Sequence, residues 1–313
     1  MIDRNCNADD SGHENNDMKL RFWGVRGSIP SPGPRTARYG GNTTCIEVRS
    51  DDGTLIILDG GTGIFALAQH LLTRLPVHAN IFITHSHWDH IHGLPFFTPL
   101  FIPTSRVRLH GARDEATGQG IEHVMGVQLQ NSYFPVGEAQ MGATIEYRTL
   151  DVGVPVAVGD AVVDNVVMNH PVTNLGYRIS CNGKSVFFTG DHEPFYNLYP
   201  EDDEGHGPYQ TYIEQRQNAI DRAMQGVDAL IVDCSYTGDE YPSKRGWGHG
   251  TFDAALATAV RVGAGALYCT HHEPTRSDDE LEAVFAEALK RHGPLPPGLR
   301  VVLAYEGLEV DLG

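Results

Sequence analysis

Five apolar runs of this chain each stop on a cluster of polar residues of metal-binding type: LIILDGG at 55–61, IFITHSHWDH at 81–90, VFFTGDHE at 186–193, LIVDCS at 230–235 and LYCTHHE at 267–273. Short apolar runs bounded by Gly, Ser or Asp read as strands. In layered α/β folds, sites assemble just outside strand ends. The five clusters, spread over roughly two hundred residues, are therefore predicted to converge on one edge. IFITHSH and LYCTHHE also echo each other, as expected of two related halves.

Between these runs the chain alternates strand and helix periods. Strands are predicted at 19–23, 44–48, 55–58, 81–84, 106–110, 145–150, 162–168, 175–180, 185–189, 229–233, 266–270, 301–305 and 308–312. Helices are predicted over 64–75, 121–130, 212–224, 252–262 and 278–291, the last a solvated acidic face. A polar Pro/Gly/Asp-rich insertion at 193–208 follows one of the clusters and reads as either a lid or a solvated loop. Residues 1–17 carry no hydrophobic period and read as a disordered tail; no linker divides 18–313, which reads as a single domain.

Charge and cysteine content narrow the class further. With 23 Lys and Arg against 40 Asp and Glu, the net charge is −17, a field that repels polyanions and leaves no large nucleic-acid surface expected. No stretch of about eighteen apolar residues or apolar leader is present, so neither a membrane span nor export is expected. Five scattered cysteines without a C-x-x-C pair fit a reducing, cytoplasmic setting.

The densest cluster is His85, His87, Asp89 and His90, four potential ligands within six positions after an apolar strand. A helix would spread them round its circumference. On a tight strand-to-loop turn, His85 and His87 face one centre while Asp89 and His90 face a second, the plan of a two-metal hydrolase.

The T-H-S-H-W-D-H of Thr84–His90 resembles the H-x-H-x-D-H signature of the metallo-β-lactamase superfamily, and further motifs follow in order from about Lys19 to Gly313. That resemblance implies an α/β fold, an αββα sandwich of two mixed β-sheets flanked by helices, and two divalent metal ions, zinc first with manganese or iron also suited. Asp59 in L-D-G-G-T-G matches the acid that braces the metal-binding loop. His170 would complete a first site with His85 and His87. Asp191 in T-G-D-H-E would bridge both metals, and His271 in C-T-H-H-E would join Asp89 and His90 on the second, with His272 the rival for that place. A carboxylate at 191, where β-lactamases commonly supply Cys, argues against antibiotic hydrolysis.

W-G-H-G-T at Trp247–Thr251 is similar to an element of the ribonuclease Z and cyclic-nucleotide phosphodiesterase branch, and makes His249 the general-acid candidate. Phe22–Pro34 and Tyr39–Cys45 are similar to the same branch; their glycines would let backbone approach a ligand, and Arg26, Arg38 and Asn42 are open between phosphate contacts and structural bonds. The implied activity is a dinuclear metal-dependent phosphodiesterase on a small phosphodiester. A metal-bridging hydroxide is its nucleophile, and Asp59, Asp89 and His249 serve the catalysis. No basic arm for a large RNA is apparent, and a homodimer stays open. The alternatives are a lactone or thioester hydrolase on the same metals, a di-iron redox or sensor protein, and a scaffold without catalysis. His92 and His192 flank ligand positions, while His13, His70, His78, His110, His123, His206 and His292 lack motif context and read as surface or helix residues.

Overall fold

The computed structural model describes residues 17–313, so the expected tail at 1–17, with His13 and Cys6, lies outside the described residues save for Asp17. The first half runs β1 (Lys19–Gly24), β2 (Cys45–Arg49), β3 (Leu55–Leu58), α1 (Gly63–Leu71), β4 (His78–Ile83), α2 (Trp88–Ile91), β5 (Arg106–Gly111), α3 (Ile121–Gln128) and β6 (Thr144–Thr149). The second runs β7 (Val156–Val158), β8 (Ala161–Val167), β9 (Leu175–Cys181), β10 (Lys184–Phe188), α4 (His206–Met224), β11 (Ala229–Asp233), α5 (Phe252–Val262), β12 (Ala266–Thr270), α6 (Asp278–His292), β13 (Arg300–Leu303) and β14 (Glu309–Asp311).

Two mixed seven-stranded sheets result, ordered β14-β1-β2-β3-β4-β5-β6 and β13-β12-β11-β10-β9-β8-β7. Both follow one plan. The ladders β14 to β3 and β7 to β10 are antiparallel, and those from β3 to β6 and from β10 to β13 are parallel. The two halves thus share one topology, but the echoed motifs do not sit at equivalent positions. The plan pairs β3 with β10 and β4 with β11, so Asp59 after β3 corresponds to Asp191 after β10, whereas His85 follows β4 and His271 follows β12.

The central core lies between the sheets, where Phe22, Ile46, Leu58 and Phe82 meet Tyr177, Ile179, Phe188 and Ile231. Alternate residues of the parallel strands face outward and are covered in turn. Ile57, Ile81 and Leu109 lie under Ile64, Leu67 and Met125 of α1 and α3, and Leu230 and Leu267 lie under Ile220, Leu256 and Leu281 of α4, α5 and α6. This double coverage makes β3 (LIIL) and β11 (ALIVD) buried at every position. The spacing Phe252, Ala255, Leu256, Ala259, Val262 gives α5 one buried stripe, and Gly263 at φ 65° ends it.

His110 departs from the surface reading: it lies inside the central layer, its ring stacked on Phe82 at 4.1 Å. The site is positioned by strand direction. β3, β4, β10, β11 and β12 run the same way within their sheets and β8 runs with β10, so the loops after all of them leave one edge of the sandwich.

Candidate metal centre

Local backbone brings each expected side chain to that edge. After β4, His87 is still extended (φ −63°, ψ 150°), and the chain then coils into the single turn α2. A helical turn does occur where a plain loop was expected, but it holds only Asp89 and His90 and is too short to spread the four residues apart.

Asp191 stands at the middle. Its Oδ2 lies 3.5 Å from His85 Nε2 and 3.9 Å from His170 Nε2, and its Oδ1 lies 3.1 Å from His90 Nε2 and 3.2 Å from His271 Nε2. Asp89 Oδ2 is 3.3 Å from His90 Nε2 and 3.1 Å from His271 Nε2, and His87 Nδ1 is 3.2 Å from His170 Nε2. Two donor groups result, His85, His87, His170 with Asp191, and Asp89, His90, His271 with Asp191, the donor atoms of each lying within 4.8 Å of one another.

These residues fit divalent cations on a test internal to the protein. His85 Nε2, His90 Nε2 and Asp191 Oδ1 are buried yet have no hydrogen-bond partner. Leaving such atoms unsatisfied costs about 1–3 kcal/mol each, and an ion in each donor group would satisfy them. Nitrogen and carboxylate donors without thiolate suit zinc, manganese or iron. Burial also pulls the His85 and His170 pKa values down, His170 to about 4, which keeps both rings in the neutral, ligating form.

The other edges of the rings are held by hydrogen bonds that aim the donor nitrogens inward. His90 Nδ1 donates to Asp59 Oδ2 at 2.7 Å, and Asp59 in turn accepts from the Thr84 amide at 2.7 Å and hydroxyl at 2.9 Å. His170 Nδ1 donates to the Gly248 carbonyl at 2.9 Å. His271 Nδ1 meets Ser235 Oγ at 2.9 Å, and that hydroxyl donates to Asp233 Oδ1 at 2.7 Å. His249 Nδ1 donates to Asp233 Oδ2 at 2.9 Å and lies 3.7 Å from Asp191 Oδ2, with its ring stacked on His271 at 4.8 Å. Burial works against a charge on His249, but Asp233 and Asp191 outweigh it and raise its pKa.

Strain concentrates here. Asp59 (φ 61°), His271 (φ 56°) and Ser28 (φ 60°) are left-handed, and the Ser28 amide donates to Asp89 Oδ2 at 2.6 Å. Two glycines are demanded by contact: a Cβ on Gly27 would lie 2.3 Å from the His271 ring, and one on Gly248 would lie 2.2 Å from His170 Nδ1. Gly27 therefore accommodates a protein side chain rather than a ligand.

Several open choices close against the centre. His272 turns inward to the Ala304 carbonyl at 2.8 Å, leaving His271 against Asp89 and Asp191. Buried Arg26 bonds Gly40, Arg276 and Asp278, Arg38 pairs with Asp279, and Asn42 binds Glu306, so all three are structural. His192 accepts from the Asn169 amide at 3.2 Å, and His92 is exposed. Two contributors were not assigned from sequence. Asp233 had its signal in the LIVDCS cluster and Glu193 in the VFFTGDHE cluster, where it also opens the polar insertion. Buried Glu193 accepts from the amides of Gly246 and Gly248 and from Tyr241 Oη, fastening the loop that carries His249.

Residues 54–272 match the family model described as the Beta-lactamase superfamily domain. A ribonuclease Z of Kineococcus radiotolerans is 26% identical over 280 residues, covering 82% of this chain and 85% of its own. The metallo-beta-lactamase fold protein YhfI from Bacillus subtilis superposes with a TM-score of 0.64 at 18% identity over 94% of this chain and 99% of that one. A diphosphatase from the PhnP family superposes with a TM-score of 0.60 at 20% identity, over 94% of this chain and 96% of that one. At such identities the two structures share the fold.

Proposed function

The chain belongs to the Beta-lactamase superfamily as a metal-dependent hydrolase, and from that premise we propose that it cleaves a small phosphodiester at a two-metal centre, with His249 as general acid. The observation that carries this reading is the placement of Asp191, whose two oxygens each face a separate histidine set while His249 stands 3.7 Å away. Two divalent ions, zinc first, would lower the pKa of a shared water toward neutrality, supplying the nucleophile, and would neutralise charge gathering on the phosphoryl oxygens.

The chain's own groups supply the rest. Asp191 fixes the spacing of the two donor groups. Asp59, Thr84 and Ser235 lock the tautomers of the rings. Asp233 holds the Nδ1 proton of His249, leaving Nε2 to deliver a proton to the departing oxygen. The likeness to a protein named ribonuclease Z supports the same chemistry, while the net charge of −17 opposes a long polyanion. Among the described residues, no helix is long and apolar enough to cross a membrane, and the buried free thiols Cys45, Cys181, Cys234 and Cys269 support the cytoplasmic setting.

Elemental analysis of protein purified without chelator should find about two equivalents of zinc, manganese or iron, with turnover of bis(p-nitrophenyl) phosphate. On a diester whose leaving group is an alkoxide, which unlike p-nitrophenolate must be protonated as it departs, His249→Ala should keep both metals and lose about 10²-fold or more in kcat. Equal activity of the variant removes the general-acid role. Turnover of a lactone alone moves the reading to the alternative, and absence of metal under any loading overturns the centre.

A further inference from the structure

The loop fastened by Glu193 carries more than His249. Lys244 Nζ lies 4.2 Å from the centroid of the Trp247 ring and 5.8 Å from that of Tyr236, and the Tyr236 ring lies 5.9 Å from the His249 ring. Beside it the Arg245 guanidinium stacks 3.8 Å above Tyr196. The neighbouring arginines are neutralised: Arg276 pairs with Glu240, and Arg26 with Asp278. Lys244 and Arg245 instead rest on aromatic faces, without an ion pair among the described residues. In a chain of net charge −17, the loop that carries the candidate acid thus presents two cations with no carboxylate partner. Trp247 is 57% exposed although it lies two residues from His249, so its ring is open to stack on a ligand.

We infer that Lys244 and Trp247 form a leaving-group subsite that recognises a planar ring bearing a second negative charge. This rests on the phosphodiesterase reading of the centre. Tyr236, 5.8 Å from Lys244 Nζ and 5.9 Å from the His249 ring, is the neighbour they share, which puts the subsite beside the candidate acid. The ring of the leaving group stacks on Trp247, and its anion meets the Lys244 ammonium, with Arg245 within the same loop to strengthen the field. The shared chemistry is that of an aromatic phosphate or carboxylate, and plain alkyl diesters would lack both contacts.

The test compares methyl p-nitrophenyl phosphate with the ester of 4-carboxy-2-nitrophenol on metal-loaded protein, and measures binding of the two free phenolates by calorimetry. The ratio of kcat/KM for the carboxylated over the plain ester should fall about tenfold in Lys244→Met, and Trp247→Leu should weaken binding of both phenolates by a similar factor. Lys290→Met, on the far helix α6, should leave the ratio unchanged. If both esters turn over but neither ratio nor phenolate binding responds to Lys244, the subsite is overturned and the reaction reading stands. If no ester turns over yet the carboxylated phenolate binds in a Lys244- and Trp247-dependent way, the subsite stands and the reaction reading falls. Loss of both overturns both.

Discussion

His110 shows what a single buried imidazole imposes. Its ring stacks on Phe82 at an interplanar angle of 1°, both ring nitrogens are buried without partners, and burial, assisted by Arg108 and Arg148, holds its pKa at about 4. The folded state therefore takes up its proton only well below the ordinary value near 6.5, where the unfolded chain is already charged. Stability from this group is complete above about pH 6.5 and is lost as pH falls toward 4, to a limit of about 3 kcal/mol. Urea denaturation at pH 7.5 and 4.5 should show the native chain losing about 2–3 kcal/mol more than His110→Phe; equal losses would refute the assignment. Nothing around His110 in the sequence marks it as interior, because Phe82 and the covering strands come from elsewhere in the chain. The same limit applied to His271 and His272: adjacent in sequence, they part only because His271 adopts φ 56° and His272 binds Ala304.

At the level of elements, the segments most legible in the sequence were those buried on both faces. β3, β11, α5 and β12 lie at the expected boundaries, since double burial writes a continuous apolar run and α5 a single stripe with a terminal glycine. The three-residue β7 carries too few residues for any period. α4 begins at His206, six residues before the expected start at 212, because its first turn is exposed and polar and contains Pro208; proline is tolerated there, where amides have no intrahelical partner. The segment 193–205 is a loop, and the structural duty within it falls to Glu193. Its carboxylate is the acceptor for two amides and a phenol, and Gly248 in turn orients His170. Glu193→Ala would strand buried donors at a cost of about 3 kcal/mol. Denaturation should show that loss, and metal titration should show the weaker of two sites vacated first; two sites of unaltered affinity would refute the coupling of this strut to His170.

Taken as a whole, the molecule places its candidate metal donors across two sheets that share no ladder. His85, His87, Asp89 and His90 leave the first sheet after β4, while His170, Asp191 and His271 leave the second after β8, β10 and β12. One direct link between the sheets at this edge is the bond from Tyr177 Oη to the Ile83 carbonyl at 2.6 Å. Ions held in both donor groups would cross-link the two layers at that edge, and because the donor arrangement exists only when the sheets are packed, the folded state binds them and the unfolded chain does not. Each site at a hundredfold excess of free metal over its Kd then adds about 2.7 kcal/mol. Chelation should lower the melting temperature by several degrees and re-addition of zinc or manganese should restore it, without any substrate being present. Asp191→Asn keeps the shape but removes the one carboxylate that serves both groups, so its melting temperature should respond little to either treatment. A variant that regains the full metal-dependent increase would mean that Asp191 does not join the two sites, and the bridging arrangement would have to be abandoned even if hydrolysis survived.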